Sequence, residues 1–266
     1  MKSKTAFELN GPAEAPVVVL IHGIGLDRNL WRVHAAALAN HYRVLTYDLW
    51  GHGDSPPPSA PLSLTLFSQQ LLDLLDEIGI KKCALVGFSL GGMINRRLAM
   101  DYPHRVSALA IFNSPHQRSV AAQKLAEERA AQTAQSSADT VGETMERWFT
   151  PDFRIAHPYY MQQMRQQLLD NDAAVYAQCR QVLATGVLEL IRPQPPLSLP
   201  ALVITSENDR GSLPSMAFAI AHEIDGAQTV IVPRLQHMGL VEEPSAFIAP
   251  LLHFLDTTIA LQKAAI

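Results

Sequence analysis

The 266-residue chain is 48% hydrophobic and 17% charged, with 18 Pro and 14 Gly scattered along it, a composition that suits a packed globular protein and excludes disordered and fibrous chains. With 21 Lys plus Arg against 25 Asp plus Glu the formal charge is −4, and no basic run stands out, which argues against tracking along a nucleic acid. An early apolar stretch, Val17 to Ile21, falls far short of the roughly 20 residues of a membrane-spanning helix. Lys2 and Lys4 are followed by Glu8 and Glu14, where the apolar part of a secretory signal would have to lie. The expectation is a cytoplasmic protein with neither a nucleic acid nor a membrane partner. Cys83 and Cys179 lie far apart without metal-type spacing and are expected to be free buried thiols.

In chain order, Val17 to Ile21 reads as a strand buried on both faces, ending in the Gly-rich turn His22-Gly23-Ile24-Gly25. Leu30 to Asn40 reads as a helix, and Arg43 to Tyr47 as a second short strand closed by Asp48 to Ser55 and a Pro-rich loop. From Leu64 to Ile78, Phe67, Leu71, Leu74, Leu75 and Ile78 recur at three- and four-residue intervals, one face of a helix that Gly79 stops. Cys83 to Val86 is strand, Ser89 to Asp101 helix, and Val106 to Phe112 strand. This alternation predicts crossover connections and a largely parallel sheet covered on both faces, an α/β fold. From His116 to Arg192 the chain turns rich in Ala, Gln, Glu and Met at helical spacing, as an inserted helical cap would be. After Pro193 to Pro200 the alternation resumes with strand Ala201 to Thr205, helix Met216 to Glu223, strand Thr229 to Val232 and helix Pro244 to Thr257. The expected division is a core of residues 1–115 and 193–266 around a cap of residues 116–192.

Gly87-Phe88-Ser89-Leu90-Gly91 fits the nucleophile-elbow pattern, in which a Ser on a tight strand-to-helix turn exposes its hydroxyl above the sheet. A Cβ at either flanking Gly would crowd the neighbouring strand or helix. A Ser hydroxyl needs a base within hydrogen-bond reach and a third group to orient that base. His237 follows a strand after a short loop and belongs on the same carboxyl edge of the sheet as Ser89. Asp209, just beyond the strand Ala201 to Thr205, is the expected acid, with Glu207 as the alternative. His22 and His52 are assigned to bracing their loops, and Asp225 and Glu242 to the surface. The oxyanion of acyl transfer calls for donors, expected from the backbone amides of Leu90, at a helix start, and Ile24. No histidine pair has metal-ligand spacing on a helix, so neither metal nor cofactor is expected.

Through His22 to Gly25, Asp48 to Ser55, Gly87 to Gly92, Asp209 and Gln236-His237-Met238-Gly239, the sequence resembles the α/β-hydrolase superfamily over nearly its whole length. Asn10-Gly11-Pro12-Ala13, Ser89-Leu90-Gly91-Gly92-Met93 and above all Arg147-Trp148-Phe149-Thr150-Pro151 with His157-Pro158 are similar to the 3-oxoadipate enol-lactonase group. Two features depart from that group. The His22-Gly23 pair points toward general carboxylesterases, and Ser206 stands where Gly is usual, three positions before the acid. The resemblance implies a mostly parallel sheet of about eight strands with a helical cap over Ser89. Trp148 then faces the substrate or packs the cap onto the core, and Arg147 meets a substrate carboxylate or solvent.

The function expected is a cofactor-independent serine hydrolase acting on a small-molecule ester or lactone through Ser89, Asp209 and His237. Cleavage of a C–C bond in products of aromatic-ring opening is the alternative for the same site. A non-catalytic ligand-binding protein is the alternative from another class. A homodimer is left open.

Overall fold

Residues 4–133 and 140–264 are described by a computed structural model. The β-branched runs of the sequence make its centre: β2 (Val17–Ile21), β3 (Arg43–Tyr47), β4 (Cys83–Phe88), β5 (Val106–Phe112), β6 (Ala201–Ser206) and β7 (Gln228–Val232) are joined side by side in parallel. The short strand β1 (Phe7–Asn10), not anticipated from the sequence, pairs antiparallel with β3 at the edge. The order is β1-β3-β2-β4-β5-β6-β7. Seven strands form the sheet among the described residues, where the resemblance implied about eight, and a single short strand supplies its antiparallel edge.

Alternation along β2 explains the two-faced burial. Val19 and Ile21 enter one apolar cluster and Val18 and Leu20 the other, because successive side chains of a strand point to opposite faces. Between the strands run α1 (Arg32–Leu38), α2 (Leu64–Glu77), α3 (Leu90–Asp101) and α9 (Pro214–His222), and after β7 come α10 (Gly239–Glu242) and α11 (Pro244–Ala264). Helix α2 shows how the sequence sets its ends. The Ser63 side chain accepts the Leu66 amide at 3.1 Å to cap the first turn, Leu64, Phe67, Leu71, Leu74 and Leu75 are buried, and Gly79 takes a positive φ just past the end.

Between β5 and β6 lie α4 (Val120–Thr133), α5 (Val141–Trp148), α6 (Pro151–Ala156), α7 (Pro158–Asp170) and α8 (Ala173–Thr185). These helices pack into both apolar clusters: Val175, Tyr176, Cys179 and Val182 join one, and Met145, Trp148, Phe149, Met164 and Leu168 the other. Cys83 and Cys179 are free and buried. No helix among the described residues is long and apolar enough to cross a membrane.

After β2 the chain pairs β3 on one side and then returns to place β4 on the other. The crevice at such a reversal, outside the carboxyl ends of the strands, is where open α/β sheets bind ligands. The residues at those ends here are His22 to Gly25 after β2 and Ser89 after β4.

Candidate active site

Ser89 occupies the single-residue corner between β4 and α3 with φ 54° and ψ −111°. A non-glycine residue in such a conformation costs about 1–3 kcal/mol and persists only where its surroundings impose it. They do so here. The Ser89 amide donates to the Phe112 carbonyl at 2.9 Å, and its own carbonyl accepts from the Gly92 amide at 3.0 Å and from Ser114 Oγ at 2.9 Å. The flanking glycines are required by space: a Cβ on Gly87 would stand 2.2 Å from the Gly91 carbonyl oxygen, and one on Gly91 would stand 2.2 Å from that of Ile21 in β2.

Asp209, in the loop after β6, is wholly buried and its carboxylate is saturated. One oxygen accepts the amides of Gly211 at 2.8 Å and Ser212 at 3.0 Å; the other accepts Asn113 Nδ2 at 2.8 Å and His237 Nδ1 at 2.6 Å. Burial alone would raise its pKa, but the charge of His237 and these hydrogen bonds outweigh burial and hold it below the usual carboxylate value. With Nδ1 engaged by a carboxylate, Nε2 is the imidazole nitrogen left to accept a proton. The ring of His237 lies 4.8 Å from that of Phe88 and 5.9 Å from that of Trp148, and the Trp148 carbonyl receives the Met238 amide at 2.8 Å. The alternative acid, Glu207, instead accepts the Arg234 amide at 2.8 Å and is exposed.

The turn after β2 is held by two histidines. His22, fully buried, donates to the Gly23 carbonyl at 2.7 Å and accepts the Leu49 amide at 3.0 Å; His52 contacts the Trp50 carbonyl at 3.0 Å and accepts the Gly25 amide at 3.1 Å. Burial, reinforced by the neighbouring His52, lowers the His22 pKa to about 3, so it serves as a neutral brace. The Leu26 amide goes to the Gly23 carbonyl at 3.4 Å. Gly25 and Leu26 thus have their amides spent within the turn, whereas that of Ile24, like that of Leu90 at the start of α3, has no protein acceptor among the described residues.

Ser89, Asp209 and His237 line one cavity of about 290 Å³, together with Ile24, Trp148 and Arg147. Of the residues singled out in the sequence these six share the space, Trp148 both lining it and packing into the core, whereas the buried Leu90 and the exposed Glu207 are not in its lining. A larger open groove of about 850 Å³ is lined by Asp209, Phe153, Glu207 and Arg234 but not by Ser89 or His237, so Ser89, Asp209 and His237 come together at the smaller cavity. Glu242, expected at the surface, is half-buried and accepts the Thr150 amide at 2.9 Å, tying α10 to the start of α6. Asn113 went unnoticed in the sequence. It follows β5 with a positive φ, donates to Asp209, and takes the Ser212 hydroxyl on its carbonyl at 2.7 Å. An Asn at a strand's carboxyl edge, a residue that tolerates the left-handed region, is the local signal.

In comparison with known families, the model of the "Alpha/beta hydrolase family" matches residues 18–251. The chain belongs to this family. Among curated relatives of the hydrolase, 3-oxoadipate enol-lactonase 1 of Acinetobacter baylyi is 30% identical over 91% of this chain and 89% of its own. Among solved structures, a hydrolase from Pseudomonas aeruginosa is 30% identical with a TM-score of 0.85, covering 94% of each chain. The enol-lactonase from Burkholderia xenovorans is 28% identical with a TM-score of 0.86, covering 95% of this chain and 96% of its own.

Proposed function

We propose that this hydrolase cleaves small carboxylic esters or lactones with Ser89 as nucleophile, His237 as base and Asp209 as its orienting acid. The observation that carries the proposal is the 2.6 Å contact of His237 Nδ1 with the buried Asp209 carboxylate, in the cavity that the strained Ser89 also lines. In the attack, Ser89 Oγ bonds to the acyl carbon while its proton passes to His237 Nε2. The oxyanion is met by the amides of Ile24 and Leu90, the second reinforced by the start of α3. The imidazolium returns its proton to the departing oxygen, and a water activated by the same His237 releases the acyl group. Asp209 keeps the imidazole in the tautomer that accepts at Nε2 and stays ionised throughout. Helices α4 to α8, within residues 116–192, act as the cap that shapes the acyl site, with Trp148 and Arg147 contributed by α5.

The enol-lactonase relatives support an acyl-oxygen bond as the target. Ser89→Ala is expected to lower turnover of p-nitrophenyl esters about a million-fold and to abolish covalent labelling by a fluorophosphonate. Undiminished hydrolysis by the purified variant refutes the assignment. Cleavage of vinylogous diketones without any ester or lactone hydrolysis would overturn the choice of bond.

A further inference from the structure

One buried side chain grips both donors to the Ser89 carbonyl. That carbonyl accepts the Gly92 amide at 3.0 Å and the Ser114 hydroxyl at 2.9 Å. Arg96, buried on α3 one turn beyond Gly92, donates from Nε to the Gly92 carbonyl at 2.9 Å. Its Nη2 donates to Ser114 Oγ at 3.2 Å and to the Pro115 carbonyl at 2.8 Å. Neither Arg96 nor Ser114 lines the cavity of Ser89, so neither is placed to touch a substrate there.

The chemistry of the groups fixes the direction of these bonds. A guanidinium offers N–H donors and no acceptor, so Ser114 Oγ accepts from Arg96 and keeps its single hydrogen for the Ser89 carbonyl. A charged donor also polarises the hydroxyl and strengthens the bond that it passes on. The close approach of α3 to the end of β5 needs Gly92, where a Cβ would stand 2.7 Å from that of Ser114. Burial pulls the Arg96 pKa down to about 10, with the charge of Glu223 opposing, so the side chain is still a cation at neutral pH. Burying a charge is costly, and a residue needed only to fill this space would not carry one. The corner that Arg96 serves is strained: Ser89 has φ 54°, a conformation that persists only where its hydrogen bonds impose it.

We propose that Arg96 is a positioning residue for the nucleophile. By orienting the Ser114 hydroxyl and the Gly92 peptide together, it locks the Ser89 corner and so sets where Oγ stands relative to His237 and to the amides of Ile24 and Leu90. The inference rests on the serine-hydrolase reading above and adds to it a residue that acts through two others.

The test compares Arg96→Met, Arg96→Lys, Ser114→Ala and the combined Arg96→Met/Ser114→Ala variant on p-nitrophenyl butyrate, with rates expressed per site labelled by a fluorophosphonate. In Arg96→Met and Ser114→Ala, kcat is expected to fall about ten- to a hundredfold through misplacement of the nucleophile, with KM little changed and labelling slowed in parallel. The acid limb of the pH profile of kcat/KM should stay in place, because the Asp209–His237 pair is untouched. Arg96→Lys should recover part of the rate, since an ammonium still donates to Ser114 Oγ but lacks the fork that reaches the Gly92 carbonyl as well. The combined variant should be no slower than Arg96→Met alone, because the two side chains act in one chain of hydrogen bonds. Arg97→Met, on the same helix but paired with Asp101 and Glu189, should leave the rate unchanged. Parental kcat per labelled site in Arg96→Met and Ser114→Ala, even with lowered urea midpoints, would reduce Arg96 to a structural role and overturn the inference. So would losses that multiply in the combined variant, or an equal loss in Arg97→Met. Should Arg96→Met fail to fold, Ser114→Ala and Arg96→Lys still decide. Failure of the underlying mechanism looks different: ester cleavage would survive Ser89→Ala.

Discussion

The floor and the roof of the cavity are built on opposite electrostatic principles. On the floor, at the carboxyl edge of the sheet, buried polar groups are saturated. Asp209 accepts four hydrogen bonds, both nitrogens of His22 and of His52 are engaged, and the buried Arg96 donates to the Gly92 carbonyl at 2.9 Å, Ser114 Oγ at 3.2 Å and the Pro115 carbonyl at 2.8 Å. On the roof, Arg118 and Arg147 have only neutral acceptors. Saturation fixes reacting groups in one geometry before substrate arrives, the condition for electrostatic stabilisation of a transition state. In the roof, burial and the nearby Arg180 oppose the charges of Arg118 and Arg147, while Glu127 and Glu143 favour them. Under the proposed mechanism the chemistry is carried by the floor, and substitutions on the two sides should report in different quantities.

The largest effect expected on that separation is from Asp209→Asn. The amide is nearly isosteric, yet it offers Nδ2–H as readily as Oδ1 to His237 and favours the wrong imidazole tautomer. In addition, one of the four donors now satisfied by Asp209 would face another donor. Turnover of a neutral p-nitrophenyl ester should fall about 10⁴-fold, with little change in the preference between charged and neutral esters. A loss confined to KM would show that floor and roof are not distinct in function.

A pair of glycines sharpens the same contrast in stability. Gly91→Ala drives a Cβ to 2.2 Å from the Ile21 carbonyl oxygen, backbone against backbone, so α3 must shift away from β2 at a cost of about 3 kcal/mol or more. Gly142, near the start of α5 in the roof, has open space where a Cβ would stand, with no atom within 4 Å. Gly142→Ala should leave stability unchanged or raise it by about 0.5–1 kcal/mol through helix propensity. Urea unfolding of both variants checks the pair, and equal midpoints would contradict the close packing of the elbow.

The same division governs how much could be read from the sequence. The strands β2 to β5 and helix α2 were legible because each buries a run or stripe of its own apolar residues. The elbow was legible because its steric demand falls on neighbours in sequence. Strand β1 escaped notice because Phe7 to Asn10 is short and mostly exposed and takes its conformation from pairing with β3, as in Phe7 opposite Tyr47. Asn113 escaped because its partner Asp209 is remote in sequence and the two meet only when β5 and β6 are adjacent. In the roof, Arg147 stands out beside the aromatic signal of Trp148, but Arg118 and Arg180 carry no local mark. Their meaning arises when α8 and the segment before α4 face one cavity.

The smallest effect concerns buried histidines that differ in the same way. His22 and His52 in the floor turn are hydrogen-bonded, whereas neither nitrogen of the buried His34, on α1, has a partner among the described residues. Burial lowers the His34 pKa from 6.5 to about 4. Above pH 6.5 both folded and unfolded chains hold this group neutral, and it makes no pH-dependent contribution. As pH falls from 6.5 toward 4, the unfolded chain takes up a proton that the native state refuses, so stability drops with pH. His34→Leu removes that liability without breaking a hydrogen bond. Its stability relative to the parent should therefore improve on going from pH 7.5 to pH 5, by about 2 kcal/mol for a group shifted over that interval. Urea midpoints of the two proteins at both pH values measure the change. An advantage that shrinks at pH 5 would mean that His34 is protonated in the native state, stabilised by its surroundings rather than opposed by them.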